Sequence, residues 1–534
     1  MKFPSLAILL FLLALTALRL SLAAAMPISA DEAVRFLIAA KWDWASFDGP
    51  GGVTGIIRMA SHFLGASALA LRLAAPISLL LGSLGIFALT AAWGTRTAAS
   101  WALLAWNLLP GFNDPLQFSN PDVIGAAWLP LVFFTAWSAW DSEKIYRWVL
   151  CGIFLSIAIF LSYWNLLTIP ALFLLFALAR FRRSAGRNTS KINQNAEIKN
   201  KSDSHSSLKI RLGLVLATLI GLTGAIGPFY WNASTQWLAF SDFTLQTLLD
   251  PASWAQIKNT LRSGISIVSL VMGLGLGTCF LVLTYSLKKG PLNRAAFAFA
   301  APFAVACLCL IWHGGLPLAA ALSVAAPLIV AAAAAIFDPD RSQLGALPQP
   351  ILIGITLLCI GLTLFHTSTR VIFSSRTQDE PDWQSLSTRL ERALVIHQPV
   401  GETPLFLIAD NERSAAALGF WMVTHDTTPK GFPPVFLRES QDISNQFGLW
   451  HRYDAFVESS VVTDQYFTEQ KGVNPYLGRS ALYLGTEAPD ELPRSIQDGF
   501  AEVVVLEKIR IKSDNGGSSA WFLYLCKNYE TAPL

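Results

Sequence analysis

Charged residues are scarce in this chain. Lys, Arg, Asp and Glu make up 14% of its 534 residues, against about 25% in an average soluble protein. Hydrophobic residues reach 53%, and the mean hydropathy is +0.46. A soluble protein this apolar could not cover its own surface with polar groups, so the composition excludes an ordinary multidomain soluble protein. It predicts a chain that faces lipid over most of its length.

Motifs for cofactor and metal chemistry are also missing. The chain has six cysteines, of which only Cys526 lies outside an apolar segment, so no disulfide framework is predicted. The Cys307-x-Cys309 pair has no further Cys or His at metal-ligand spacing and indicates packing. The sequence contains no nucleophile elbow and no phosphate loop. It therefore predicts no definite cofactor, leaves a divalent metal open, and predicts no nucleic-acid partner.

The few charges are unevenly distributed. Residues 1–374 carry 39 charged side chains with a net charge of +11, whereas residues 375–534 carry 36 with a net charge of −8. This predicts a transmembrane domain over 1–374 and a soluble domain over 375–534. Helical periodicity at 383–398 and 411–425, alternating with short β-type runs, indicates that the soluble domain is α/β. The predicted strands are 403–409, 434–437, 455–459, 480–484, 500–511 and 520–525.

Eleven apolar runs predict a polytopic α-helical membrane domain. They cover residues 5–24, 76–95, 98–111, 122–140, 145–163, 165–181, 212–231, 264–286, 295–313, 316–336 and 350–368. The first run also fits a cleaved signal peptide, but a retained helix is favoured because ten more spans follow it. The polar segment 182–210 is predicted to be a flexible cytoplasmic linker between the sixth and seventh spans.

Basic residues predict the orientation. With the N-terminus inside, the inner segments carry 17 Lys and Arg residues, and the outer loops before the soluble domain carry six. The positive-inside rule then places the soluble domain outside. In a bacterium this is a multi-pass protein of the inner membrane, with a cytoplasmic N-terminus and a periplasmic C-terminal domain.

Acidic residues gather near the outer ends of the first few helices. They are Asp31, Glu32, Asp48, Asp114 and Asp122. One interpretation is that they cap helices and hydrate loops, and Asp122 fits an N-cap. The other is catalysis, because a carboxylate pair beside apolar surface, with Arg35 one turn later, suits a general base.

The order of motifs resembles a known family. The motifs are Asp31-Glu32-Ala33 after the first helix, an Asp48-Gly49-Pro50 turn, Arg72-Leu-Ala-Ala-Pro76 opening the second helix, and Asn120-Pro121-Asp122 before the fourth. They are similar to bacterial members of the protein O-mannosyltransferase and lipid A aminoarabinose transferase group, which has the GT-C fold. Two segments of the soluble domain, 408–413 and 446–450, resemble the periplasmic domain of some members.

The resemblance implies an activity and its residues. It implies transfer of a sugar from a polyprenyl-phosphate donor to an envelope lipid, glycan or protein acceptor, with inversion at the anomeric carbon and with membrane lipids as surroundings. Asp31 matches the family's first acidic residue, the candidate general base, and Glu32 is its companion. Asp122 matches the acid of a Thr-Pro-Asp motif, with Asn120 in place of the threonine. Arg35 stands one place beyond the family's arginine.

One departure concerns the donor phosphate. Family members carry a basic residue where this chain has Gly49, directly after Asp48. Three alternatives stay open: Arg35, Lys41 or Arg58 supplies the cation; backbone N–H groups of the glycine-rich turn bind the phosphate; or donor handling has been lost.

Two other function classes stay open. One is a noncatalytic relative of the family that acts as a partner or scaffold, which the glycine at position 49 favours. The other is a transporter or flippase of lipid-linked sugars, for which ionisable residues and broken helices near the middle of the bilayer are expected. The acids at one membrane surface favour catalysis over transport.

Overall fold

A computed structural model describes most of the chain. The described residues are 5–109, 112–114, 117–187, 196–241, 291–312, 318–336, 381–398, 404–425, 433–438, 443, 445–450, 452–454, 474–512 and 518–530. The chain divides into two compact units. The first comprises Met1–Ala25, Asp48–Ile56 and Arg72–Val371, and the second comprises Met26–Phe47, Ile57–Leu71 and Ile372–Leu534.

Helices dominate the described residues. In chain order they are α1 (Leu6–Ala25), α2 (Ala30–Ala40), α3 (Gly52–Leu64), α4 (Ala68–Arg72), α5 (Ala74–Trp93), α6 (Arg96–Asn107), α7 (Pro121–Ser142), α8 (Ile145–Leu161), α9 (Thr168–Arg187), α10 (Ala196–Ser234), α11 (Pro291–Trp312), α12 (Leu318–Ile336), α13 (Trp383–His397), α14 (Glu412–Thr424), α15 (Gln446–Leu449) and α16 (Arg494–Gln497). The described residues also include 3₁₀ turns at Tyr163–Leu167 and Leu238–Phe240.

The predicted membrane spans coincide with helices of the first unit. The spans that fall within the described residues correspond to α1 and to α5 through α12. Among the described residues, four helical stretches are long and apolar enough to cross a membrane: Leu6–Ala25, Ala68–Trp93, Pro121–Ser142 and Leu208–Ser234. The predicted spans 264–286 and 350–368 lie outside the described residues.

Glycines allow close packing between these helices. A Cβ atom on Gly82 of α5 would collide with the carbonyl oxygen of Ala127 in α7, and one on Gly85 would collide with the backbone at Pro130. The residue numbers increase in the same direction on both helices, from Gly82 to Gly85 on α5 and from Ala127 to Pro130 on α7. The two helices therefore run parallel. Apolar side chains gain little from leaving lipid for another apolar surface, and small residues therefore stabilise such pairs through van der Waals contact.

Helix α8 packs in the same parallel manner on α10. Gly152 of α8 faces Ala217, and Gly224 of α10 faces the carbonyl oxygen of Ser156. The C-terminal ends of α8 and α10 therefore lie at one end of this pair. Helix α7 is joined to α8 by two residues and runs back, so its N-terminus lies at that same end.

The polar segment between the sixth and seventh spans is more helical than its composition predicts. Helix α9 continues to Arg187 and α10 begins at Ala196, so the predicted linker 182–210 is helical except at 188–195, which lie outside the described residues. A helix already nucleated in an apolar span extends into polar residues at small cost, because each added residue forms one more hydrogen bond.

Part of the predicted first outer loop belongs to the second unit. Helix α2 buries Ala33, Phe36 and Leu37, and its Phe36 ring meets Phe420 of α14 edge-on with centroids 4.9 Å apart. This differs from the predicted domain boundary at 374/375, because α2 is amphipathic and covers its apolar face with the C-terminal domain rather than with lipid.

The C-terminal domain is α/β, as its periodicity predicts. Its strands are β3 (Phe406–Ala409), β4 (Phe436–Leu437), β5 (Ala481–Gly485), β6 (Phe500–Lys512) and β7 (Ser518–Tyr529), after two short strands of the preceding region, β1 (Ala45–Ser46) and β2 (Gly49–Pro50). The sheet order is β4-β3-β5-β7-β6. Strand β3 is parallel to β4 and β5, and β7 is antiparallel to β5 and β6. The predicted strand 455–459 lies outside the described residues.

Candidate active site

The first turn of α2 carries the predicted catalytic pair, and the two carboxylates have different surroundings. Glu32 is fully buried. Its Oε2 accepts hydrogen bonds from the backbone N–H of Ser29 at 3.0 Å and from the Ser29 hydroxyl at 3.2 Å, while the Ser29 side chain caps the Glu32 N–H. This is a complete capping box, and it gives Glu32 a structural role. The Ser29-x-x-Glu32 spacing is the sequence signal that would have predicted it.

Asp31 points away from the core of the second unit. Its side chain is 60% exposed, and its Oδ1 lies 3.2 Å from Nε of Arg413, in the first turn of α14. The Asp31 carboxylate is thus open to an incoming molecule, whereas the Glu32 carboxylate is engaged by the backbone N–H and the hydroxyl of Ser29. The two carboxylates of the predicted pair therefore have different surroundings, and only Asp31 remains a candidate general base.

The two predicted basic contacts lie on different helices. Arg35 is half-buried on α2, one turn after Asp31, and Arg58 is exposed on α3. At this spacing Arg35 is on the same side of α2 as Asp31. Arg35 therefore remains the better placed of the two for a ligand at Asp31.

The turn at Asp48 has a backbone conformation that favours glycine at position 49. Gly49 has φ +131°, a backbone conformation that residues with a Cβ rarely adopt. Asp48 is exposed beside it. The glycine therefore suits the backbone of this turn, and a lysine or histidine here would strain it.

Within the first unit, the segment after this turn lies close to the end of α8. A Cβ on Gly52 would collide with the carbonyl group of Phe160. Two residues after Phe160, the Ser162 hydroxyl donates a hydrogen bond of 2.6 Å to Oδ1 of Asp122. The structure thus brings the Asp48 turn and Asp122 to the same end of α8.

Asp122 is not the N-cap of α7. Asn120 takes that position, and its side chain accepts from the Asp122 N–H at 2.9 Å. The N-cap prediction for Asp122 is therefore wrong, because Pro121 occupies the first helical position, which it favours, and shifts the cap to Asn120. The Asp122 carboxylate lies in the first turn instead, where the helix dipole stabilises its negative charge.

Sequence reasoning overlooked Arg19, a buried cation within the first apolar run. Its side chain is 2% exposed. The guanidinium donates to the side-chain oxygens of Asn107, at 2.9 Å, and Asn113, at 3.0 and 3.2 Å, and to the backbone oxygen of Asn107 at 3.0 Å. A lone arginine inside an apolar run is itself the signal. It ties α1 to the end of α6 and to the loop that precedes Asp114.

The C-terminal domain has its own polar cluster, at the carboxyl ends of its parallel strands. The Thr486 hydroxyl, after β5, donates to Asp410, after β3, at 3.3 Å. Arg438, after β4, donates to Glu487 at 2.7 Å. Burial, with a smaller contribution from the negative charge of Glu487, raises the pKa of Asp410 above its ordinary 3.8.

No metal centre can be assigned in the part of the chain that the structure describes. Three or more His, Cys, Asp and Glu side chains do not come together there in a group able to hold an ion.

Comparison with known proteins agrees with this fold. Residues 48–192 match the family model for Dolichyl-phosphate-mannose-protein mannosyltransferase. A search of curated proteins gives no significant match. Among solved structures, the chain is similar to ArnT from Cupriavidus metallidurans bound to undecaprenyl phosphate, with a TM-score of 0.59 and 13% identity over 97% of both chains.

Two further structures are similar to the chain. The apo state of the same ArnT gives a TM-score of 0.60 at 13% identity, again over 97% of both chains. The archaeal oligosaccharyltransferase AglB from Archaeoglobus fulgidus, in complex with an inhibitory peptide and a dolichol-phosphate, gives a TM-score of 0.44 at 13% identity over 79% of this chain and 64% of that one. The chain is therefore a multi-pass membrane protein of GT-C-like fold with a C-terminal sheet domain, and the resemblance predicted from its motifs is confirmed by the mannosyltransferase family model over residues 48–192 and by the ArnT fold along its length.

Proposed function

We propose that this protein is a membrane glycosyltransferase that moves a sugar from a polyprenyl-phosphate donor to an acceptor outside the inner membrane. The observation that carries the proposal is the similarity to ArnT bound to undecaprenyl phosphate, which extends over 97% of both chains. The match of residues 48–192 to a family that uses dolichyl-phosphate-mannose supports the same donor class.

Asp31 is proposed as the general base. Its carboxylate takes the proton of the acceptor hydroxyl, the resulting oxygen forms a bond to C1 of the sugar, and the bond from C1 to the polyprenyl-phosphate oxygen breaks. Attack from the side opposite the phosphate inverts the anomeric carbon. The exposure of Asp31 supports this role, and its ion pair with Arg413 orients the carboxylate.

The leaving phosphate requires positive charge nearby, because negative charge develops on it in the transition state. Arg35 is proposed for this role, since it lies one turn from Asp31 on α2. Asp122 and the Asp48 turn are proposed to contact the donor from the membrane domain. The acceptor is proposed to be an envelope lipid, glycan or protein, and the location the bacterial inner membrane with the C-terminal domain in the periplasm.

The test is a gene deletion complemented with the wild-type chain or with Asp31→Asn. Mass spectrometry of envelope lipids, glycans and proteins is expected to show one sugar increment lost on deletion, restored by the wild type and not by the variant. An unchanged envelope after deletion would support a noncatalytic relative. Full restoration by Asp31→Asn would exclude Asp31 as the base and would favour a transporter.

A further inference from the structure

Three buried side chains of the first unit have an oxygen atom without a hydrogen-bond partner among the described residues. They are Asn165, Thr168 and Asn232, with exposures of 1%, 0% and 2%. The atoms are Oδ1 of each asparagine and Oγ1 of the threonine. Burying a polar atom without a partner is costly, and folded proteins rarely retain one without a reason.

All three lie at the end of the helix bundle that holds Asp122. Asn165 and Thr168 belong to the 3₁₀ turn after α8 and to the start of α9, and Asn232 lies near the end of α10. The Nδ2 of Asn232 donates to the Tyr163 hydroxyl at 2.9 Å. These side chains come from three segments, the 3₁₀ turn, α9 and α10, which meet beside the start of α7.

Gly125 connects this group to Asp122. A Cβ there would collide with Cβ of Ser162 and with Nδ2 of Asn165, and Gly125 lies one turn after Asp122 on α7. Ser162 in turn donates to Asp122 at 2.6 Å. Ser162 and Asn165 therefore pack against the turn of α7 that carries Asp122, the predicted donor contact.

The chemistry of the group selects its ligand. Two amide oxygens and a carboxylate accept hydrogen bonds, and the threonine hydroxyl can accept as well. Such a set matches a molecule that offers several hydroxyl hydrogens, and it disfavours a phosphate, whose oxygens would face other acceptors. A sugar ring is the component of a lipid-linked donor with this property.

We propose that Asp122, Asn165, Thr168 and Asn232 form a subsite that recognises hydroxyl groups of the donor's sugar. This inference rests on the proposed function and names the part of the donor that the subsite binds. It makes these side chains determinants of sugar specificity, separate from any residue that binds the phosphate.

Thr168→Val provides a sharp test, because valine has nearly the same shape and removes only a hydroxyl that has no hydrogen-bond partner among the described residues. The full chain, purified in nanodiscs, is titrated with C55-polyprenyl phosphate alone and with the same carrier bearing a hexose, a pentose, an aminopentose or an N-acetylhexosamine. Thermal stabilisation reports binding. We expect the variant to bind the preferred sugar-bearing carrier about three- to tenfold more weakly, the effect of one lost hydrogen bond, and the bare carrier as well as the wild type does.

Thr135→Val is the matched control. Thr135 is equally buried in α7, but its hydroxyl donates to its own helix at Leu131, at 2.8 Å, more than three turns from Asp122. It should change neither titration. Asn165→Asp is a second variant: it retains the acceptor oxygen, and we expect it to keep binding the sugar-bearing carrier better than Asn165→Leu does.

The outcomes separate the two proposals. If the wild type binds bare carrier but gains nothing from any sugar, the subsite is excluded and the proposed function survives. A second outcome is that Thr168→Val leaves sugar binding unchanged and makes the chain more stable than the wild type. This result would show that the group binds ordered water only, and it would also exclude the subsite. If the wild type binds neither bare nor sugar-bearing carrier, both proposals fail together.

Discussion

Asp31 and Arg413 form an ion pair although 382 positions separate them in the sequence. Nε of Arg413 lies 3.2 Å from Oδ1 of Asp31, and the pair joins the first turn of α2 to the first turn of α14. Helix α2 thus packs against the C-terminal domain through the contact between Phe36 and Phe420 as well as through this ion pair. The C-terminal domain therefore positions the proposed base.

Asp31→Asn is expected to lower sugar transfer by a factor of about 10² to 10⁴, because a neutral amide cannot accept the acceptor's proton. Its effect on stability should be within about 1 kcal/mol, because the pair is solvent-exposed. Transfer is measured with a lipid-linked donor and stability by thermal unfolding. The matched control is Glu502→Gln, which breaks the exposed pair with Lys527 in the same unit and should leave transfer unchanged. Equal losses in both variants would contradict a specific role for Asp31.

Glu32 is expected to act through the capping box rather than as a base. Glu32→Gln keeps an acceptor for the Ser29 N–H and should retain most of the stability and most of the transfer activity. Glu32→Ala removes that acceptor and should destabilise the chain by about 0.5–2 kcal/mol. Thermal unfolding and transfer assays on the two variants check this. A Gln variant that is stable but inactive would instead show that the carboxylate takes part in catalysis.

Restoring the family's basic residue should harm this protein. Gly49→Lys places a side chain at φ +131°, and such backbone strain costs on the order of 1–3 kcal/mol. We expect a lower melting temperature and no gain in transfer. Gly49→Ala is the control, because it introduces the same strain without the charge. A lysine variant as stable as the wild type and more active would show that the turn accommodates a cation.

Arg19 is expected to be required for stability of the membrane domain. Arg19→Gln leaves the buried oxygens of Asn107 and Asn113 short of donors, at about 1–3 kcal/mol or more. Arg19→Lys should rescue only part of this, because an ammonium cannot reproduce the planar fork of guanidinium donors. Melting in nanodiscs is the measurement, and the exposed Arg96 provides the control as Arg96→Gln. Equal melting temperatures for the Arg19 and Arg96 variants would refute the prediction.

Asp410 should make the protein less stable as pH rises. Its pKa is raised in the folded state, mainly by burial, so the folded chain holds this proton more tightly than the unfolded chain does. The resulting stability is fully present below the ordinary pKa of 3.8 and is lost as pH rises through the raised value. In the wild type, Nδ2 of Asn411 donates to Asp410 at 2.9 Å. Asp410→Asn keeps an oxygen that can accept this hydrogen bond, but its side chain cannot ionise. At neutral pH the variant should therefore melt at a higher temperature than the wild type, and this advantage should shrink as the pH is lowered. A difference that does not change with pH would exclude this linkage.

The sequence alone determined the helices of the membrane domain and the class of the C-terminal domain. Apolar runs of bilayer length permit little besides transmembrane helices, because lipid offers no partner for backbone polar groups. The alternation of helical and strand periodicity around β3 and α14 likewise predicted that the C-terminal domain is α/β. Local chemistry of this kind does not depend on distant contacts.

Tertiary structure decided which distant partners the site residues have. The spacing Ser29-x-x-Glu32 is a local signal for the capping glutamate, but only packing places Asp31 beside Arg413, a partner that no local pattern could supply. The same holds for Arg19 with its two asparagines and for Asp122 with Ser162. In each case the partner comes from a segment far along the chain, and only the fold brings the two together. A hydrogen bond depends on distances of a few tenths of an ångström, which spacing along the sequence does not encode.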